Sequence, residues 1–232
     1  MRVFITATDT DAGKTYVTAG LTRQLIGLGL RARALKPVCC GRKPGEPNAD
    51  VRALLEAQGW DEAAAGRVNL HDFPDFSAPA AAAARAGARI GLDGLAHWCE
   101  AAAEGASLTL IEGVGGLMVP LARNLLVADW LAAMPDARVL LVARARLGGI
   151  NHALLTLKAL EAMGRAPDWV VVNDADGAGV AMVEGVAGAL RPFLRPETRL
   201  LTLCHRPQTV YAASKTVAEL AADMARRCEC AC

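Results

Sequence analysis

A lysine and a threonine stand side by side, Lys14 and Thr15, directly after Gly13 at the close of a short turn, Thr8-Asp9-Thr10-Asp11-Ala12-Gly13. That grouping suits the binding of phosphate. Successive backbone N–H groups of such a turn point inward, and the N-terminus of a following helix adds positive partial charge. The lysine can reach the β- and γ-phosphates of a nucleotide, and the threonine hydroxyl can take a Mg²⁺ ion. Lys36 is a second cation, and Asp50 and Glu112 are carboxylates that, with Thr15, offer oxygen ligands to one Mg²⁺. Mg²⁺ favours few carboxylates plus waters and phosphate oxygens. Such a set fits phosphoryl transfer, in which catalysis is mostly positioning and charge neutralisation. Plainer roles remain open for each position: a chance Gly-Lys-Thr in a strand-to-helix turn, a solvated strand-end lysine at Lys36, a first-turn helix acid at Asp50, a strand-end surface acid at Glu112.

The surrounding pattern supplies the elements that must position these residues. Val3-Phe4-Ile5 reads as a buried strand, and Val17, Leu21, Leu25 and Leu28 recur at helical spacing. Strand, turn, Gly-Lys-Thr and helix are the context a phosphate-binding loop requires, although Ala7 stands where the usual G-x-x-x-x-G-K-[ST] pattern has its first glycine. Further strands are expected at 31–35, 107–111, 138–143, 169–172 and, weakly, 200–203. Helices are expected at 50–58, 80–88 after Pro79, 92–103, 127–134, from Gly148-Gly149 through Met163, and at about 178–190 and 212–226. Residues 59–77 read as irregular, and Pro37 ends ordinary strand pairing after Lys36. Strands alternating with helices predict an α/β fold with a doubly wound, mostly parallel sheet and helices on both faces, in one domain spanning 1–232. Ligands then gather outside the carboxyl ends of the strands. Residues 7–15, Lys36, Glu112 with the Gly113–Gly116 run, 144–152 and Asn173 all fall there; these glycines, Gly115 among them, let backbone pass close to a ligand.

The chain has 232 residues, a formal net charge of +1 and no basic cluster, which speaks against a nucleic-acid partner. No apolar run reaches membrane-spanning length, and because Met1-Arg2 leads straight into a strand no signal peptide is expected. Seven cysteines, an odd number, fit reduced thiols in the cytoplasm. Cys228, Cys230 and Cys232 form a C-x-C-x-C tail, read as part of a disordered stretch over 225–232 rather than a metal site, because it lacks the paired spacing of zinc modules. His71, His97, His152 and His205 show no ligand spacing.

Taken together, five segments resemble dethiobiotin synthetase: Thr8 through Thr15, Lys36-Pro37-Val38, Glu112 through Gly116, Leu147-Gly148-Gly149-Ile150-Asn151-His152-Ala153-Leu154-Leu155-Thr156, and Val172-Asn173-Asp174. The likeness runs through about residues 1–175, and the 147–156 stretch is its most specific part. The resemblance implies a homodimeric, ATP- and Mg²⁺-dependent ligase of biotin synthesis that joins CO₂ to 7,8-diaminononanoate and closes a ureido ring. It implies that Thr10, Asp11, Ala12, Gly13, Lys14, Thr15 and Tyr16 hold the nucleotide with Glu112, Gly115 and Asn173, the last reading the adenine edge. Thr15, Asp50 and Glu112 would hold Mg²⁺. Lys36 and Lys14 would be the catalytic cations, with Thr10, Lys36 and Cys40 beside the diamine. Gly149, Ile150 and Asn151 would meet the diamine's distal carboxylate across the dimer interface. Departures from the family pattern are Ala7, Cys40 in place of a serine before Gly41, Ala78-Pro79-Ala80 in place of a Ser-Pro-His-like segment, and the loop near 203–210. A different class is also compatible with the first motif: a P-loop NTPase switch or partitioning protein, or a retained fold without activity.

Overall fold

A computed structural model describes residues 1–43, 45–205 and 214–230. The elements in chain order are β1 (Arg2–Ala7), α1 (Lys14–Gly27), β2 (Ala32–Leu35), β3 (Val38–Cys40), α2 (Ala49–Ala57), β4 (His71–Phe73), α3 (Pro79–Arg85), α4 (Leu92–Ala102), β5 (Leu108–Glu112), β6 (Pro120–Ala122), β7 (Leu125–Leu126), α5 (Val127–Ala132), β8 (Arg138–Arg144), α6 (Gly149–Ala162), β9 (Trp169–Asn173), α7 (Val180–Leu190), β10 (Arg199–Leu203) and α8 (Lys215–Glu229). Six strands form one sheet in the order β10-β9-β8-β1-β5-β2, and every pairing in it is parallel. The order reverses across β1, so the crevice at its carboxyl end is where a ligand belongs.

The period-2 alternation of the central strands decides which helix covers which face. Val3 and Ile5 of β1 join Leu108 and Leu110, Leu140 and Val142 in a core shared with Leu21 and Leu25 of α1 and Leu220 and Met224 of α8. Phe4 points the other way, with Ile111, Leu141 and Val172, into a core closed by Leu95 and Cys99 of α4, Trp130 of α5, Leu157 and Leu160 of α6 and Val183 of α7. The Trp130 ring meets Phe4 edge-on at 4.8 Å between centroids. Helices thus cover both faces, and the four inner strands, β9, β8, β1 and β5, are nearly continuous buried runs, as burial on two sides requires.

Two expectations need correction. The stretch 59–77 is not wholly irregular: a 3₁₀ turn occupies Glu62–Arg67, and β4 pairs in parallel with β3, so pairing resumes immediately after Pro37. Strands of three residues carry no periodic signal long enough to read. The stretch from 225 is not a disordered tail as far as 230. Helix α8 runs to Glu229, Ala225 and Cys228 are buried, and the Cys228 thiol donates to the Ser107 carbonyl at 3.1 Å, because the apolar side of the helix packs on the sheet. Residues 231–232, the first residues of the helix expected from 212, and 206–210 of the loop near 203–210 lie outside the described residues.

Candidate active site at the carboxyl edge of the sheet

The turn between β1 and α1 closes on Gly13, whose φ of +88° is left-handed. A Cβ at this position would lie 2.2 Å from Asn173 Nδ2 at the end of β9, so glycine is required on two counts. The Asn173 amide packs there and donates to the Ala12 carbonyl at 2.8 Å. Asp11 is also left-handed, at φ +59°. Lys14 is buried at the head of α1, and its ammonium donates to the Asp9 carbonyl at 3.3 Å. Burial, reinforced by the neighbouring Lys36, pulls the Lys14 ammonium down to about 8.

Lys36 and Glu112 come from adjacent strands, one just past β2 and one at the end of β5, and both side chains are buried. The Lys36 ammonium donates to Glu112 Oε1, pairs with Asp50 Oδ2 at 3.0 Å and reaches the Gly113 carbonyl at 3.4 Å. Burial opposes the Lys36 charge, but Glu112 and Asp50 outweigh it and hold the ammonium well above the usual lysine range. Burial likewise opposes the Asp50 charge, and the Lys36 ammonium outweighs it, lowering that carboxyl. The Thr15 hydroxyl donates to the same Glu112 Oε1 at 2.7 Å. Asn48 caps α2, its side-chain oxygen accepting from the Asp50 N–H at 3.0 Å, so Asp50 enters the site on a fixed first turn. Asp50 is both a first-turn acid and a member of the cluster.

A divalent cation fits this arrangement. Glu112 Oε2 is buried and has no hydrogen-bond partner, which leaves one hard carboxylate oxygen uncommitted beside Thr15 and Asp50. Among the described residues no three His, Cys, Asp or Glu side chains gather around one point as a metal site, so the cation would rest on the two carboxylates with the Thr15 hydroxyl.

A cavity of about 780 Å³ opens over this cluster. Thr10, Asp11, Gly13, Lys14, Thr15, Tyr16, Lys36, Cys40, Asp50, Glu112, Gly115 and Asn173 all line it. Ala12 does not: its side chain is in the core, and its carbonyl is taken by Asn173. Gly149, Ile150 and Asn151 are also absent from the lining; they open α6 at the same sheet edge but outside the cavity, with Ile150 and Asn151 exposed. The Cys40 thiol sits half-buried at the wall, pushed up to about 11 by burial and by Asp75.

Several functional candidates have no motif to announce them. Asn69 fixes the backbone of Lys36, donating to its carbonyl at 2.6 Å, while the Lys36 N–H donates to the Val68 carbonyl at 2.8 Å. Phe76 overhangs the cavity mouth, and a Cβ on Gly41 would lie 2.4 Å from its ring. Arg144 and Arg146 grip the phosphate-type turn from β8's end, Arg146 pairing with Asp9. An Arg-x-Arg pair at a strand's carboxyl end was the one available signal.

The chain matches the family model described as "AAA domain" over residues 1–206. Similar solved structures include the MinC:MinD cell division protein complex of Aquifex aeolicus, with a TM-score of 0.59 at 15% identity covering 97% of this chain and 96% of that one. Another is a ParA family ATPase from Chlorobium tepidum, with a TM-score of 0.57 at 12% identity covering 95% and 98%. At that distance they establish the fold alone. Sequence relatives are nearer. The ATP-dependent dethiobiotin synthetase BioD of Acidiphilium cryptum is 45% identical over 176 residues, 73% of this chain and 78% of that protein. The enzyme of the same name from Cellvibrio japonicus is 38% identical over 196 residues, 83% and 85% of the two chains. With such identity over most of both chains, the protein belongs to the ATP-dependent dethiobiotin synthetase family.

Proposed function

We propose that this protein uses ATP to carboxylate 7,8-diaminononanoate with CO₂ and to close the ureido ring, giving dethiobiotin, ADP and phosphate. The observation that carries the reading at this site is the buried junction of Lys36, Glu112, Asp50 and Thr15 against the Gly13–Lys14 turn, two cations and two carboxylates within one cavity. One amine of the substrate adds to CO₂ and forms a carbamate. The γ-phosphoryl group of ATP passes to a carbamate oxygen, and the second amine then displaces phosphate as the ring closes. No side-chain nucleophile takes part.

The turn amides and Lys14 bind and orient the triphosphate, with Gly13 letting the backbone approach closely. Lys36 faces the carbamate and the moving phosphoryl group, neutralising charge as it shifts between oxygens. Thr15, Asp50 and Glu112 would hold Mg²⁺, which would supply neutralisation of phosphate charge. Asn173, whose amide forms part of the wall, stands on the side where the base lies. Gly149, Ile150 and Asn151 receive the distal carboxylate from the site of a second subunit, and the exposed helix start of α6 supports that assignment. The protein works as a cytoplasmic homodimer on small molecules, without nucleic acid or membrane as a partner. No described helix is long and apolar enough to cross a membrane.

The test is product formation. ADP and phosphate release should require both the diamine and bicarbonate, with dethiobiotin identified by mass. Brisk ATP hydrolysis without them, and no dethiobiotin with them, favours the switch-type reading instead.

A further inference from the structure

One guanidinium joins the two walls of the cavity. Arg144 is the last residue of β8 and lies in register with Asn173, the last residue of β9. Its backbone N–H donates to Thr8 Oγ1 at 3.2 Å. Its Nε donates to Asp176 Oδ2 at 2.8 Å, Nη2 engages the other Asp176 oxygen, and Nη1 donates to the Thr10 carbonyl at 3.3 Å. Thr10 belongs to the turn that would hold phosphate. Asp176 belongs to the 174–179 loop, whose first members, Asp174 and Ala175, line the cavity beside Asn173.

Both anchorages are themselves fixed. The Asp174 carboxylate accepts from the Ala178 and Gly179 N–H groups at 2.6 and 3.0 Å, and the Asp174 N–H donates to the Leu203 carbonyl at 2.8 Å. On the other side Arg146 holds Asp9, whose Oδ1 accepts from the Thr10 N–H at 2.8 Å. The guanidinium therefore connects two stiff loops and not two floppy ones. A planar fork with a fixed bidentate geometry sets a separation in a way that a single ammonium cannot.

We propose that Arg144 is a positioning residue that, with Asp176, sets the distance between the phosphate cradle and the wall on which the nucleotide base rests. It touches no ligand itself. The inference deepens the reading of this cavity as an ATP site and rests on it.

Two probes separate its parts: ATP, which spans cradle and wall, and inorganic tripolyphosphate, which occupies the cradle alone. Binding of each with Mg²⁺ is measured by calorimetry on the intact protein. Arg144→Gln should weaken ATP by about tenfold and leave tripolyphosphate within about twofold. Arg144→Lys should resemble Arg144→Gln, because it loses the fork. Asp176→Asn, at an exposed position, should reproduce the ATP-selective loss, and the double variant should be no worse than either single one. Equal weakening of both probes overturns the proposal, since a general loss of cradle structure acts on both. So does unchanged ATP binding in both single variants, or additive losses in the double one. If the wild-type protein binds neither probe, the ATP-site reading falls first and this inference with it; if it binds both and the variants do not discriminate, only this inference falls.

Discussion

Two helices of this protein begin alike and end up in opposite circumstances. Helix α1 and helix α6 each have 14 residues, each follows a strand at the same edge of the sheet, and each opens on a left-handed glycine, Gly13 at φ +88° and Gly148 at φ +82°. At α1 the start is walled in: Asn173 packs over Gly13, Thr15 is tied to Glu112, and Lys14 is buried. At α6 the start is open. Nothing lies within 4 Å of where a Gly148 Cβ would be, Leu147 is 93% exposed, and Ile150 is 39% exposed. The strand–glycine–helix device opens both helices on N–H groups without a partner inside the helix, although at α6 the Gly149 N–H is donated to the Arg146 carbonyl at 2.9 Å. What differs is enclosure. Low-dielectric walls and fixed cations turn one terminus into a site for concentrated charge, while the other faces solvent without such walls in its own chain.

The comparison breaks most sharply at the enclosed end. Lys14→Ala should lower diamine- and bicarbonate-dependent ADP release by about 10²–10³-fold, the loss typical of removing one preorganised donor from developing charge. Retention of more than about a tenth of the activity, with the thermal midpoint unchanged, would detach Lys14 from the phosphates. Glu112→Gln should come next. It keeps the shape but surrenders the uncommitted Oε2 as an anionic ligand, so the Mg²⁺ concentration giving half-maximal activity should rise by about tenfold. A superimposable Mg²⁺ titration would remove Glu112 from the metal's surroundings.

Matching substitutions at the two glycines sharpen the contrast directly. Gly13→Ala adds a Cβ 2.2 Å from Asn173 in a left-handed backbone, and ATP binding should weaken by more than about tenfold as the turn is displaced. Gly148→Ala meets the same backbone penalty in open space, about 1 kcal/mol, so it should lower the thermal midpoint by a few degrees and leave ATP binding intact. Equal effects on ATP would mean that enclosure is not what separates the two helix starts.

Both helix starts were legible in the sequence, but the open end's part in binding was suggested only by resemblance. Val3-Phe4-Ile5, the Gly13-Lys14-Thr15 turn and Glu112 after Leu110-Ile111 are local signals: a buried strand, a turn and a helix written within a few residues of one another. Their convergence follows from parallel topology, which brings every strand's carboxyl end to one edge. The supports were not legible, because they are pairings across long separations. Asn69 reaches Lys36 across 33 positions and Arg144 reaches Thr10 across 134, and no periodicity encodes either. The three-residue strands β3 and β4 were hidden for a different reason: Pro37 marks a stop, but a strand of Val38-Cys39-Cys40 has no alternation to show that pairing starts again. Cys228 misled because a C-x-C-x-C ending looks like a loose terminus, while helical spacing with Val217, Leu220 and Met224 places it on the buried stripe of α8.

Asn151 offers the mildest and most pointed test of the open end. It is exposed, it lies two residues into α6, and it lines no part of the cavity of its own chain. If the helix start of one subunit receives the substrate carboxylate of the other, Asn151→Ala removes one donor among several and should raise KM for the diamine by about three- to tenfold, with kcat and KM for ATP unchanged. The same variant should leave ATP binding by the free protein untouched. A residue that only supported the fold would move ATP and diamine parameters together, and a residue outside the reaction would move neither. If that donor comes from a second subunit, wild-type activity per protomer should also fall on dilution below the dimer dissociation constant, measured by initial rates against protein concentration. Constant specific activity through dissociation to monomers would show that one chain completes the site, and would assign the open start of α6 no part in it.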